Sequence, residues 1–217
     1  MTPAEFESYF KRVRRFSSTR EWEDRYLTML KASALDSVWR PKVLDFGCGT
    51  GAGFSVFNRH YIGVYVGIEQ GHMFEYLRRT RPEMSVYRTL IGASTVPVDF
   101  DAVLFSSSLA HVHDPIQTLI DARKLLRPGG RVVIMTNTRA FGQWRWLLNK
   151  VKGYRDDPTL KHRFSPKALE GVMVRTGFGV LGIEFLGDDA VPGFTPKSHR
   201  YFMMAVGYKK CSEQKPS

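Results

Sequence analysis

An apolar run, Val43-Leu44-Asp45-Phe46, stops at Gly47-Cys48-Gly49-Thr50-Gly51-Ala52, with glycine at alternate positions. Glycines so spaced permit a sharp turn and leave the backbone bare, so a ligand can lie directly against it. Glu69 closes the next apolar run, twenty-two positions past Gly47. A carboxylate there can accept both hydroxyls of a ribose. By itself this pattern fits two kinds of nucleotide-bearing ligand, because Gly47, Gly49 and Ala52 also occupy the small positions of a dinucleotide fingerprint.

Asp45 separates the two. A carboxylate at the mouth of the strand repels a pyrophosphate, and each such contact costs about 4 kcal/mol at an effective dielectric near 20. The same group attracts S-adenosylmethionine (SAM), whose α-ammonium and sulfonium are both cationic. A simpler use of Asp45, capping the following helix, requires no ligand. Cys48 between its glycines reads as a small packing residue rather than a reactive thiol.

Several elements must position these groups. Residues 1–40 carry apolar side chains at helical spacing, first Phe6, Tyr9, Phe10, Val13 and Phe16, then Trp22, Tyr26, Met29 and Leu30. From residue 42 the period changes. Strands are expected at 42–46, 64–69, 84–87, 101–106 and 131–136, alternating with helices at 52–59, 73–79 and 115–126. The last helix is closed by the turn signal Arg127-Pro128-Gly129-Gly130. Such alternation predicts a doubly wound α/β fold with a mostly parallel sheet. Ser165-Pro166 and Gly177 bracket one more helix, and strands at 179–186 and 200–209 are joined by a loop, which predicts an antiparallel pair at one sheet edge. Residues 139–163 interrupt the rhythm as an inserted cap, and 211–217 read as a polar, flexible tail.

Taken together these pieces resemble a class I SAM-dependent methyltransferase, of the small-molecule group that includes quinone-biosynthesis enzymes. The resemblance spans about residues 41–185. It rests on the glycine motif, Gly67-Ile68-Glu69, Phe100-Asp101-Ala102-Val103, and Leu109-Ala110-His111-Val112-His113-Asp114-Pro115. Leu125-Leu126-Arg127-Pro128-Gly129-Gly130, His162-Arg163-Phe164-Ser165 and Thr176-Gly177-Phe178 extend it. It implies a Rossmann-like sheet of seven strands with one antiparallel edge strand. It assigns Gly47, Gly49 and Gly51 to the amino-acid and ribose end of SAM, Asp45 to the ammonium, Glu69 to the ribose, and Gln70 to the side of the adenine. Ser106 and Ser107 line the methionyl part. The family often carries an acidic residue shortly before a Leu/Val-Pro pair. Here Val96-Pro97 follows Gly92-Ala93-Ser94, so Ser94 or a backbone carbonyl takes the adenine amino group. The aromatic N-terminal segment, residues 1–40, reads as a helical lid over the cofactor or as simple packing on the sheet, and residues 41–210 as the methyltransferase domain.

Methyl transfer is an in-line displacement in which alignment and exclusion of water do most of the work. A base is needed only for a hydroxyl or a poorly activated carbon. His111, just past the fourth strand at the carboxyl edge, suits that role, since imidazole titrates at about 6.5. A loop histidine bonded to a neighbouring carbonyl is the plainer reading. His113 and Asp114 read as turn and helix-cap residues. Tyr154 and His162, in the insert, are candidates to touch the acceptor. Trp144-Arg145-Trp146-Leu147-Leu148 fits a substrate cap, a lipid-facing surface or plain core.

Composition narrows the partners. The 217 residues suit one domain, and 32 Lys+Arg against 21 Asp+Glu give a net charge of +11. Such a charge favours an anionic or lipid-like small molecule, or nucleic acid. Against nucleic acid, Ser106-Ser107-Ser108-Leu109 lacks the Asn/Asp-Pro-Pro-Tyr tetrad that grips a flipped base. A third reading, a partner subunit without catalysis, gives no reason to keep Asp45, Glu69 and the glycines together. Two distant cysteines, Cys48 and Cys211, make neither a disulfide framework nor a metal site, and the absence of a signal sequence or apolar span points to the cytoplasm.

Overall fold

The computed structural model describes residues 19–89, 99–138, 159–186 and 202–210. Strand-length apolar runs alternate with amphipathic stretches. They bury their side chains only if the runs pair edge to edge and the stretches cover both faces. The chain does this in the order α1 (Thr19–Ala32), β1 (Lys42–Phe46), α2 (Ala52–His60), β2 (Val64–Ile68), α3 (Gly71–Thr80) and β3 (Ser85–Tyr87). Then come β4 (Phe100–Ser106), α4 (Pro115–Leu125), β5 (Leu126–Asn137), α5 (Pro166–Arg175), β6 (Phe178–Leu186) and β7 (Phe202–Lys209).

The seven strands form one sheet in the order β3-β2-β1-β4-β5-β7-β6. Strands β1 to β5 pair in parallel. Strand β7 runs antiparallel to both β5 and β6. The expected antiparallel pair therefore lies at one edge; the reversed strand is β7, one in from the edge, with β6 outermost.

Two cores fill the two faces. One sets Leu44, Val66, Val103, Phe105 and Ile134 against Leu119 of α4 and Leu169 and Met173 of α5. The other sets Val43, Tyr65, Leu104 and Met135 against Tyr26, Met29 and Leu30 of α1 and Phe57 of α2. Of the 1–40 segment, the described part thus packs on the sheet; residues 1–18 lie outside the described residues, as do 139–158 of the insert and the 211–217 tail.

Helix ends follow the sequence signals. Asp114 accepts the amides of Ile116 (2.9 Å) and Gln117 (3.0 Å), and Ser165 that of Ala168 (3.2 Å). Each such cap stabilises its helix by about 1 kcal/mol. The Arg127–Gly130 turn signal has a different outcome from the one expected. Strand β5 starts at Leu126, and the turn becomes a bulge within it: Phe100 pairs with Leu126 while Ala102 pairs with Arg131. Extra residues on one strand can be accommodated this way when a glycine relieves the strain, and Gly129 has φ 73°.

The strand order reverses between β1 and β4. That reversal opens a crevice at the carboxyl ends of the strands, where ligands of open α/β sheets bind.

Candidate active site

The turn after β1 is built as its glycines require. Gly47, Gly49 and Gly51 have φ of 72°, 57° and 75°. The amides of Gly47 and Cys48 both donate to the Ile68 carbonyl, at 2.8 and 3.1 Å, which ties the turn to the end of β2. A Cβ at Gly47 would overlap Ser108, on the loop after β4, whereas one at Gly49 would meet no described atom within 4 Å. Backbone is therefore bare and open at Gly49, while Gly51 packs on Arg81 and Leu77. Arg81 donates to the Thr50 carbonyl (2.9 Å) and to Ser55 Oγ (2.8 Å), bracing the turn from behind. Cys48 is buried against Gly67, and burial pushes its thiol well above the ordinary range, so it is a packing residue.

Glu69 reaches across to this turn. Its Oε2 accepts the Gly49 amide at 2.7 Å and its Oε1 the Gln70 amide at 2.9 Å. Burial raises its carboxyl, and the two amides oppose the rise. The carboxylate thus stands fixed beside the open glycine, with lone pairs to spare. Gln70 itself is exposed.

Asp45 is fully buried. Register places Val43 opposite Tyr65 and Asp45 opposite Gly67, so Tyr65 projects from the same sheet face as Asp45. Its hydroxyl donates to Asp45 Oδ2 at 2.5 Å. Tyr26 of α1 stands close enough to favour the ionised carboxylate without closing a hydrogen bond, and among the described residues Oδ1 has no partner. Burial lifts the Asp45 carboxyl to about 7; the two phenols pull it down and the Glu69 charge adds to the rise. Asp45 caps no helix: α2 has Gly51 at its N-cap, with no side-chain cap. Tyr65 was not singled out in the sequence. Its signal was a polar aromatic at the same-face position of the neighbouring strand.

At the end of β4, Ser106 is buried with its Oγ unpaired among the described residues, and just beyond it Ser107 sits at φ 62°, its amide donating to the Met135 carbonyl at 2.7 Å. His111 is half-buried, and its Nδ1 lies 2.9 Å from Thr159 Oγ1, so it pairs with a hydroxyl rather than a carbonyl. The His162 ring donates from Nε2 to the carbonyls of Val112 (3.1 Å) and His113 (3.2 Å), and the amides of Lys161 and His162 both donate to the Ala110 carbonyl at 2.9 Å. Segment 159–163 is thereby fastened to the loop that carries His111. Ser94 and Tyr154 lie outside the described residues. Among the described residues no group of His, Cys, Asp and Glu is placed to hold a metal.

An orphaned buried carboxylate oxygen, an open glycine and a second carboxylate on the same turn fit a ligand with a cationic amine and a sugar. A family model described as a methyltransferase domain matches residues 8–182. The chain belongs to that family. Its seven-stranded, mostly parallel sheet is the class I methyltransferase fold, and the family's methyl donor is SAM. The methyltransferase resembles a SAM-dependent methyltransferase of Archaeoglobus fulgidus with a TM-score of 0.70 at 16% identity, covering 93% of this chain and 99% of that one. It is 33% identical to a ubiquinone biosynthesis O-methyltransferase of Aeromonas salmonicida over 112 residues, 45% of this chain and 44% of the relative. It is also 30% identical to a tRNA U34 carboxymethyltransferase of Pseudoalteromonas translucida over 100 residues, 43% of this chain and 31% of that protein. The matched part spans less than half the length of both relatives.

Proposed function

We propose that the methyltransferase moves the methyl group of SAM to a small-molecule acceptor, a hydroxyl or an activated carbon, by in-line displacement. What carries this reading is the half-satisfied, fully buried Asp45 beside a bare glycine turn that Glu69 already grips. When bound, SAM supplies a methyl group on a sulfonium whose thioether leaves readily. Asp45 takes the ammonium on its unpaired oxygen. Glu69 accepts the ribose hydroxyls, Gly47, Gly49 and Gly51 lie along the amino-acid and ribose end, and Gln70 and Ser94 flank the adenine. Ser106 and Ser107 line the methionyl part.

His111 serves as base where the acceptor is a hydroxyl. The role requires the tautomer in which Nδ1–H donates to Thr159 Oγ1, which leaves Nε2 as the basic nitrogen. Tyr154 and His162 belong to the acceptor side, with residues 139–163 as cap; α1, of the 1–40 segment, is packed on the sheet rather than poised as a lid. His162 contributes chiefly by fastening the cap to the His111 loop, since its Nε2 already donates to two carbonyls. A cytoplasmic site of action agrees with Cys48 being a buried free thiol; among the described residues no helix is long and apolar enough to cross a membrane.

The test is a thermal-shift titration with SAM, followed by mass spectrometry of cell extract incubated with the protein and isotopically labelled SAM. A rise in Tm and a labelled small molecule are expected. Label appearing only in RNA, DNA or protein would contradict the small-molecule reading. One observation favours nucleic acid as a second reading. The chain carries a net charge of +11, which attracts a polyanion. Binding to RNA that weakens steeply with salt would support it.

A further inference from the structure

Asp45 has an unusual companion set for a group that must meet a cation. Among the described residues, the groups that face it are Tyr65 from β2, Tyr26 from α1, and the more distant Cys48 and Glu69; none of these is cationic. Both phenols are fully buried and held well above their ordinary range, by burial first and by the Asp45 charge second. They are therefore neutral and can only donate to the carboxylate or stand beside it. Room for the pair is made by Gly53 of α2, where a Cβ would overlap the Tyr65 hydroxyl and the Tyr26 ring. Tyr26 also lies beside Ser106 at the end of β4. Three strands and the first helix thus meet at one carboxylate, well inside the crevice end of the sheet.

We propose that Tyr65, assisted by Tyr26 of α1, is a positioning residue for cofactor binding: it orients the Asp45 carboxylate for the ammonium of SAM and makes that contact depend on α1 being seated. This rests on the reading of Asp45 as the ammonium ligand given above. A phenol donating to one oxygen fixes the carboxylate rotamer and leaves the other oxygen as the acceptor. It also favours the ionised form, and a hydrogen bond to a charged group shifts an ionisation constant by roughly one to two orders of magnitude. Burial holds the Asp45 carboxyl at about 7 even with both phenols opposing it, so removing one raises it further and leaves it protonated, and poor at binding an ammonium, over a wider span of pH. Raising the pH restores the charge. A residue with a merely structural role gives no such restoration.

The experiment is calorimetric titration of SAM into the full chain, wild type, Y65F and Y26F, from pH 6 to 8.5. The ratio of variant to wild-type affinity is read, because titration of the ligand's own amine cancels in it. We expect Y65F to bind about tenfold more weakly at pH 6.5 and within about twofold of wild type at pH 8.5, with Y26F following in the same sense by about threefold. A deficit equal at every pH, or no deficit, overturns the proposal while leaving the SAM reading intact. No binding of SAM by wild type at millimolar ligand overturns both. Should Y65F fail to fold, Y26F carries the same comparison from a different element.

Discussion

Two buried aspartates stand at opposite edges of the same sheet. At the amino-terminal edge Asp101 is 7% exposed and fully engaged: Oδ2 accepts the Lys42 amide at 2.8 Å and Oδ1 the Arg127 Nε at 2.5 Å. At the carboxyl edge Asp45 is wholly buried and, among the described residues, has one phenol on Oδ2, nothing on Oδ1 and no cation facing it. A buried charge without a partner costs several kcal/mol. A fold under no other demand resolves it as it does at Asp101. One carboxylate is finished by the fold; the other keeps an open acceptor, which on the proposed reading takes the ammonium of SAM.

That contrast can be broken in order of size. The largest effect belongs to neither aspartate but to the group that shares Asp45's edge. H111A should lower turnover roughly 10²-fold with little change in SAM affinity, if His111 is the base. Single-turnover methyl transfer beside calorimetry checks it, and near-normal turnover makes His111 a loop residue held by Thr159. Next, D45A should weaken SAM binding by about tenfold or more, since a hydrogen bond to a charged group is worth about 1.5–3 kcal/mol. D101N should leave SAM affinity within about twofold yet lower Tm by roughly 4–10 °C, because it strands Arg127 at a half-buried site. Circular-dichroism melts read that difference.

The smallest effect has the opposite sign. With the folded carboxyl near 7 and the unfolded one near its ordinary value of 3.8, the native state binds the extra proton between those values. Its contribution is thus most favourable below about pH 4 and is lost as pH rises through 7. D45N removes the ionisation, so without SAM it should melt several degrees higher than wild type at pH 8, the gap narrowing as pH falls toward 4. Equal melting curves at pH 8 would mean that Asp45 is satisfied in the free protein.

How much of this was legible beforehand differs between the two edges. Strand and helix order followed from periodicity, and the caps at Asp114 and Ser165 followed from residue type, because those signals are local. The glycine turn was legible for the same reason. The bulge at Arg127–Gly130 was not, since Pro-Gly-Gly announces a turn without saying whether the next strand has already begun pairing. Nor was the phenol on Asp45. That contact depends on a parallel register between β1 and β2, which sets Val43 beside Tyr65 and becomes visible only when the strands are paired. His111 was legible as a residue after the fourth strand, but its partner Thr159 arrives from 48 positions away, through a segment with no periodic signal.

Titrating SAM into the wild-type chain beside D45A and D101N tests the central claim most directly. The account predicts saturable one-to-one binding by wild type and D101N, and a deficit of about tenfold or more for D45A alone. Equal affinities in all three, or heat from none of them at millimolar SAM, would contradict it.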